Sequence, residues 1–216
     1  MIVCMKIGEG YGSRYVNQLY KQVKDFDEVL CFTDDPEGLK HEIKVHKVDS
    51  WCTERLWWNK VMLFEPGLFK EKVVYVDLDS FIHDSPRHVL NHANEKLILL
   101  KTHWFSPDTR EKIHMCDVNS SVMVIGPQGS EPLYREWYDN KVKLFKSFYG
   151  LDHWIYRRHR SNIDYFPSGV AYSYRYGNQY PDDIDEFKIR TEIPITVLDD
   201  IVEKDKAIDK LWRTKQ

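Results

Sequence analysis

The sequence predicts an α/β protein built on a mixed, mostly parallel central sheet flanked by helices, and three observations predict it. A strand, a helix and a second strand follow one another over residues 2–33, the order of a parallel α/β unit. Val73-Val74-Tyr75-Val76 is rich in β-branched residues, uninterrupted and uncharged, which suits a strand buried on both faces. That run ends directly in Asp77-Leu78-Asp79, so two acids fall at the carboxyl edge of the sheet, where open α/β folds bind ligands.

Each element has its own local signal. Residues 2–7 form an apolar strand that stops at Gly8-Glu9-Gly10. Tyr15, Val16, Leu19, Tyr20 and Val23 recur at helical spacing and predict a helix over 13–24. Val29 to Thr33 is a second strand, running into Asp34-Asp35-Pro36. Residues 43–48 alternate as a half-exposed strand does. Thr53 is placed to cap a helix over 54–65 that Pro66-Gly67 ends. Strands follow at about 97–102 and 121–125. A helix runs from Pro132 to about 148, with proline in its first turn and Gly150 as its stop, and a short helix covers 151–159. Residues 170–176 alternate, with Val170, Tyr172, Tyr174 and Tyr176 on one face and Ala171, Ser173 and Arg175 on the other. A last helix is expected over 200–213.

Length and composition narrow the classes. With 216 residues, 42% of them hydrophobic and 30% charged, the chain reads as one globular domain over 1–216, of which 178–216 is a C-terminal extension packed on the rest. A net charge of −3 provides no bulk positive field, so neither nucleic acid nor an anionic membrane is an expected partner. The apolar runs are far shorter than a membrane span, and no basic segment leads into an apolar stretch at the start, so a cytoplasmic protein without signal peptide or transmembrane segment is expected. None of the four cysteines, Cys4, Cys31, Cys52 and Cys116, forms a C-x-x-C pair, which leaves a zinc site without support; all four are expected as reduced thiols. An aromatic content of 14% serves either a core or stacking platforms for sugars and bases.

The acidic pair carries the chemistry. Two carboxylates one residue apart on a turn can share one hard cation, and Mg²⁺ or Mn²⁺ takes oxygen ligands while keeping positions for phosphate and water. Asp-x-Asp alone is also what any solvated acidic turn produces. Here four apolar residues feed into it, and Ser80-Phe81-Ile82 resumes apolar character afterwards.

A set of stretches in a fixed order resembles the glycosyltransferases of family eight and related bacterial and phage glycosyltransferase-like proteins. They are Lys6-Ile7-Gly8-Glu9-Gly10-Tyr11-Gly12, Tyr15 to Tyr20, Cys31-Phe32-Thr33-Asp34-Asp35, Trp57-Trp58-Asn59-Lys60 with Leu63-Phe64, Val74 to Asp79, Val118 to Met123, Gly150 to Ile155, and Ser173-Tyr174-Arg175. The resemblance covers roughly residues 1–177 and implies the GT-A fold. It also implies transfer of a sugar from a nucleotide-diphosphate sugar, a UDP-sugar first, to an acceptor hydroxyl of a carbohydrate or glycan, with retention of configuration and with Mn²⁺ or Mg²⁺ as cofactor.

Residue by residue, the resemblance implies that Gly8, Gly10 and Tyr11 cradle the nucleotide, Tyr11 stacking on the base, with Thr33 and Asp34 beside base or ribose. The plainer alternative for the glycines, and for Thr33 to Asp35 before Pro36, is an ordinary turn. Lys60, in an apolar neighbourhood, either snorkels to solvent or meets an anion, which the resemblance identifies as the donor's phosphates or sugar. Asp79 is implied as direct metal ligand, and Asp77 as ligand of the metal or the ribose. Asn119, Ser120 and Ser121 resemble a polar turn that contacts the sugar. Asp152 and His153 resemble the segment near the reacting sugar; their alternative is a charged first helical turn. Two departures stand out: Leu151 occupies a position where an Asp is expected, and no His follows His159 to complete a metal set. Arg157, Arg158 and Arg160 are read as a solvated helix face rather than an anion site.

Three rivals bear weighing. A haloacid-dehalogenase-type phosphatase would use Asp77 as nucleophile and Asp79 as acid/base, and the chain offers a second acidic pair in Asp199-Asp200. Against it, Phe81 stands where that superfamily places Thr or Val, and a complete strand–helix–strand unit precedes the motif. A sugar-phosphate nucleotidyltransferase would need an Arg-containing Gly-rich loop, which Gly8 to Gly12 lacks. A non-catalytic carbohydrate-binding relative is the third.

Overall fold

A computed structural model of the chain describes residues 1–83, 89–90, 96–102, 116–167, 169–174 and 195–197. The expected helix over 200–213, the Asp199-Asp200 pair, Arg175 and Tyr176 lie outside these residues, as does all of the expected extension except 195–197.

Strand β1 (Ile2–Lys6) leads through helix α1 (Ser13–Val23) to β2 (Val29–Thr33) and then β3 (Lys44–Lys47). These three strands are parallel, with Cys4 opposite Cys31. The chain then returns to the other side of β1, where β4 (Val73–Val76) pairs parallel to it. Strand β7 (Val118–Ile125) is antiparallel to both β4 and β6 (Leu97–Lys101), and β8 (Ile163–Tyr165) closes the far edge parallel to β6. The resulting seven-stranded order is β3-β2-β1-β4-β7-β6-β8. Because β2 lies on one side of β1 and β4 on the other, the chain reverses its direction of travel between β1 and β4. A ligand crevice is expected at the carboxyl ends of those two strands.

The pleat divides the core. Ile2, Cys4, Val74 and Val76 face the layer holding Val16 and Leu19 of α1. Val3, Val73 and Tyr75 face the opposite layer, which holds Trp58 and the two helices α2 (Glu131–Ser147) and α3 (Leu151–Arg158). All four residues of β4 are buried, as an uninterrupted apolar strand between two layers must be. All four cysteines are buried free thiols.

Several local expectations are corrected. The segment 54–65 is not an α-helix capped by Thr53 but a 3-10 helix over Leu56–Phe64, preceded by Arg55 in a non-helical conformation without a side-chain cap. Side chains three apart eclipse in a 3-10 helix. Trp58, Val61 and Phe64 thereby form one fully buried row, a burial that the looser α spacing spreads around the helix. Gly150 does not stop α2, which ends at Ser147; it precedes α3 in an extended conformation. A Cβ at Gly150 would lie 2.9 Å from the Trp57 indole nitrogen, so close approach, not turn geometry, requires glycine there. The C-terminal carbonyls of α2 are held instead by Arg55, whose Nη1 donates to the carbonyls of Phe145, Phe148 and Tyr149 at 3.2, 2.8 and 3.0 Å. Strand β3 is exposed along its whole length rather than alternating, because it is the sheet's edge.

Asn119 to Ser121 do not form a separate turn but belong to β7. The register of β6 against β7 jumps there, from Leu99 opposite Met123 to Leu100 opposite Asn119. Residues 120–122 thus bulge away from β6, the kind of irregularity that re-aims side chains beside a site. A second, three-stranded sheet has the order β5-β10-β9, from Ser80–Ile82, Ile195–Val197 and Ala171–Ser173. Its β10 brings residues 195–197, within the expected extension, alongside Ser80, next to Asp79.

Candidate active site

Strand β4 delivers Asp77 to the carboxyl edge of the sheet between β1 and β7. The backbone nitrogen of Asp77 donates to the Ser121 carbonyl at 2.8 Å, and the nitrogen of Ser80 donates to the Asp77 carbonyl at 3.1 Å, closing the turn that carries Asp79. Residues two apart on a strand share a face. Tyr75 therefore reaches the same side as Asp77, and its hydroxyl donates to Asp77 Oδ1 at 2.6 Å. Lys60 Nζ donates to the other oxygen, Oδ2, also at 2.6 Å.

Lys60 is the hub. Besides Asp77 it contacts Ser120 Oγ at 3.3 Å and the Ser120 carbonyl at 3.5 Å. Burial disfavours its charge, but Asp77, then Asp152 and finally Asp79 outweigh that penalty and hold its pKa above the ordinary lysine value. It is therefore a fixed ammonium within the field of three carboxylates. The anion that this lysine meets in the structure is Asp77, a residue of its own chain.

Asp152, in the first turn of α3, joins the same group. Its Oδ2 accepts from the Ser120 nitrogen at 3.4 Å. Its Oδ1 is sealed from solvent and has no hydrogen-bond partner among the described residues; the same holds for Ser80 Oγ, next to Asp79. Burial pushes the Asp152 carboxyl up, and Lys60 pulls it back only in part. A buried acceptor without a donor is costly in a finished fold.

His153, the next residue, makes contacts of its own. Its ring stands edge-on to Phe148, centroids 5.6 Å apart, and its Nε2 faces Arg157 Nε at 3.4 Å. The remaining arginines are engaged by neighbouring acids, Arg158 by Glu136 at 2.6 Å and Arg160 by Asp117 at 3.6 Å, as befits a charged helix face.

Around the loop after β1, the backbone nitrogen of Gly8 donates to both carboxylate oxygens of Asp34, at 3.2 and 3.0 Å, stitching the β1 loop to the β2 loop. Gly8 has φ +65°, a conformation L side chains rarely adopt. A Cβ at Gly10, by contrast, would meet open space. Tyr11 is half-buried, edge-on to Tyr15 with centroids 5.0 Å apart. Thr33 is fully buried and its hydroxyl closes a turn, donating to the Asp35 carbonyl at 2.8 Å and accepting from the Asp35 nitrogen at 3.1 Å. Asn119 Oδ1 accepts from the Ser121 nitrogen at 2.9 Å and so shapes the bulge.

Three residues escaped the sequence reading. Tyr75 was legible from its i, i+2 relation to Asp77. Lys6, whose Nζ donates to the Asp35 carbonyl at 2.8 Å, was legible as a lysine ending an apolar strand. Arg55 left no local signal, because its acceptors lie 90 residues and more along the chain.

For a divalent cation, the described residues contain no cluster of three or more His, Cys, Asp or Glu that could hold a metal by itself. Two carboxylates are nevertheless enough for a hard cation that arrives with phosphate oxygens and water. Each Asp77 oxygen accepts one hydrogen bond, from Tyr75 or Lys60, and a carboxylate oxygen has a second lone pair. Asp77 and Asp79 are the residues that would hold such a cation, with phosphate oxygens and water supplying its other ligands.

No family model matches the chain, and no curated protein matches it. Solved structures do. The galactosyltransferase LgtC, crystallised with donor and acceptor sugar analogues, superposes with a TM-score of 0.62 at 13% identity, over 91% of this chain and 86% of its own. A glycosyltransferase involved in glycosylation of the major capsid of PBCV-1 gives 0.61 at 9% identity, over 97% and 98%. The apo-form glycosyltransferase GlyE of Streptococcus pneumoniae gives 0.65 at 13% identity, over 91% of this chain and 53% of its own. The fold of this chain is therefore that of the GT-A glycosyltransferases, the mixed, mostly parallel α/β architecture expected from the sequence.

Proposed function

We propose that this chain is a glycosyltransferase that moves a sugar from a nucleotide-diphosphate sugar, a UDP-sugar first, to a hydroxyl of a carbohydrate acceptor, with Mn²⁺ or Mg²⁺ and with retention of configuration. One observation carries the proposal: the Lys60 ammonium gathers Asp77, Ser120 and Asp152 at the carboxyl edge of β4, the switch point of a GT-A fold.

In this proposal the β1 loop, held open by the Gly8–Asp34 bonds, receives the nucleotide, with Tyr11 against the base. Asp79 and Asp77 would hold the cation, which when bound would supply Lewis-acid neutralisation of the diphosphate. Tyr75 and Lys60 fix the Asp77 carboxylate so that little reorganisation is needed on binding. Lys60 adds a second positive charge beside the leaving group, already in place before substrate arrives. Asp152, buried beside Lys60 and Ser120, fixes the groups that orient the transferred sugar. Asp152 takes this role because it reaches Ser120 and the field of Lys60.

The phosphatase alternative has less support. Phe81 stands where that superfamily places Thr or Val, and a complete strand–helix–strand unit precedes the acidic pair. The neighbouring folds described above are also all glycosyltransferases.

The test is thermal stability with UDP, UDP-glucose and UDP-galactose, with and without Mn²⁺, for wild type and Asp79→Ala. Ligand at about one hundred times its Kd stabilises the native state by about 2.7 kcal/mol. A Mn²⁺-dependent rise in wild type that Asp79→Ala abolishes is expected. No rise with any nucleotide in wild type overturns the proposal.

A further inference from the structure

Trp57 and Tyr149 are large aromatics left at the surface, 43% and 76% exposed. Their ring centroids are 6.4 Å apart and tilted by 36°, so they form one two-ring surface rather than two isolated side chains. Each is tied to the active site by a single turn of chain. Trp57 precedes Lys60 by three residues in a 3-10 helix, where such positions lie on one ridge about 6 Å apart. Tyr149 precedes Asp152 by three residues, across the entry to α3.

The pair is also held in place. Arg55 binds the carbonyls of Phe145, Phe148 and Tyr149 and lies over the Phe145 ring at 4.5 Å. The Trp57 indole nitrogen rests at the backbone of Gly150, where even a methyl group would collide. Rings exposed on a mobile surface give up conformational freedom on binding a ligand; these are ordered beforehand by an ion-like clamp and a glycine gap.

A pyranose presents one face of C–H groups bordered by hydroxyls. Tyr and Trp match it with a rigid apolar area and a polar edge, at low entropic penalty. The geometry points to Trp57 and Tyr149 as the stacking platform for the acceptor sugar, directing its hydroxyl toward the Lys60–Asp152 end of the site. This role rests on the transferase function proposed above and assigns its acceptor subsite.

The test measures saturation-transfer NMR on the full chain with methyl β-glucopyranoside, methyl β-galactopyranoside, maltose and lactose, alongside UDP binding by calorimetry with Mn²⁺. In wild type, ring C–H protons of at least one sugar take up saturation. Tyr149→Ala, at a position too exposed to threaten folding, and Trp57→Leu each weaken that signal about five-fold, the worth of one aromatic contact, while UDP affinity stays unchanged. Tyr149→Phe, which keeps the ring, retains the signal. Absence of saturation for every sugar in wild type, equal signals in wild type and both variants, or equal loss in Tyr149→Phe and Tyr149→Ala overturns the platform. A wild-type dimer that Tyr149→Ala converts to monomer overturns it too, by assigning the rings to self-association. If ring-dependent sugar contact is seen but UDP never binds, the transferase function fails, and the acceptor role fails with it; if UDP binds and no sugar does, the platform alone fails.

Discussion

Lys60 Nζ lies 2.6 Å from Asp77 Oδ2, and neither side chain is more than 18% exposed. Seventeen residues separate the two along the chain. A buried pair of this kind adds little net stability against a well-packed apolar substitute, yet removal of one partner strands the other charge. Its presence at the end of β4 therefore points to use rather than to stability.

Lys60→Met leaves Asp77 with Tyr75 as its main donor. A loss of about 3 kcal/mol is expected, together with loss of donor hydrolysis. Urea denaturation at pH 7 checks it; a variant as stable as wild type shows that the ammonium is not buried with its partner.

Tyr75→Phe keeps the packing of the ring and removes the donor to Asp77 Oδ1. A destabilisation of about 2 kcal/mol is expected for a lost hydrogen bond to a charged group. Burial, then Asp77, pushes the Tyr75 hydroxyl well above the usual tyrosine value. The unfolded chain thus ionises first as pH rises, and the native state binds more protons. Stability from this group is complete below about pH 10 and is lost above it. Wild type should lose stability more steeply than Tyr75→Phe as the pH rises above about 10, measured by denaturation at each pH.

Asp152→Asn should trade function for stability. Burial raises the Asp152 carboxyl above its unfolded value, so its favourable contribution is present only at low pH, where it is protonated, and is lost as pH rises. At pH 7 the charged carboxyl is a liability that an amide removes. A Tm increase of about 1–3 °C is expected, with transfer or donor hydrolysis reduced on the order of 100-fold. A calorimetric scan showing lower Tm contradicts the role of burial here.

Gly150→Ala forces the Trp57 indole away from the chain, since the new Cβ would fall 2.9 Å from its nitrogen. A cost of about 1–2 kcal/mol and a shift in tryptophan emission are expected. Unchanged emission would show that the indole does not rest there.

Much of the fold was legible locally. The first strand, α1, β2, β4, the start of α2 and the span of α3 match their sequence signals within a residue or two, because period and burial are read from neighbours in the chain. The short strands over 80–82, 163–165 and 195–197 were not legible, since three residues carry no period and only pairing makes them strands. Of the candidate residues, Lys60, Asp77, Ser120 and Asp152 converge by direct contact, whereas Thr33 and Asn119 turn out to shape backbone.

By itself the sequence determined that a buried strand ends in two acids at a sheet edge, and that a lysine sits among apolar residues nearby. Only the tertiary structure decided that this lysine belongs to Asp77 and that Asp152 joins them through Ser120. The same holds for Arg55, which clamps a helix end from afar, and for the indole that requires Gly150. The physical reason is common to all of these. Periodicity along a chain reports which face of an element is dry, but which two distant side chains meet depends on strand order and register, and here that is the placement of β4 between β1 and a bulged β7.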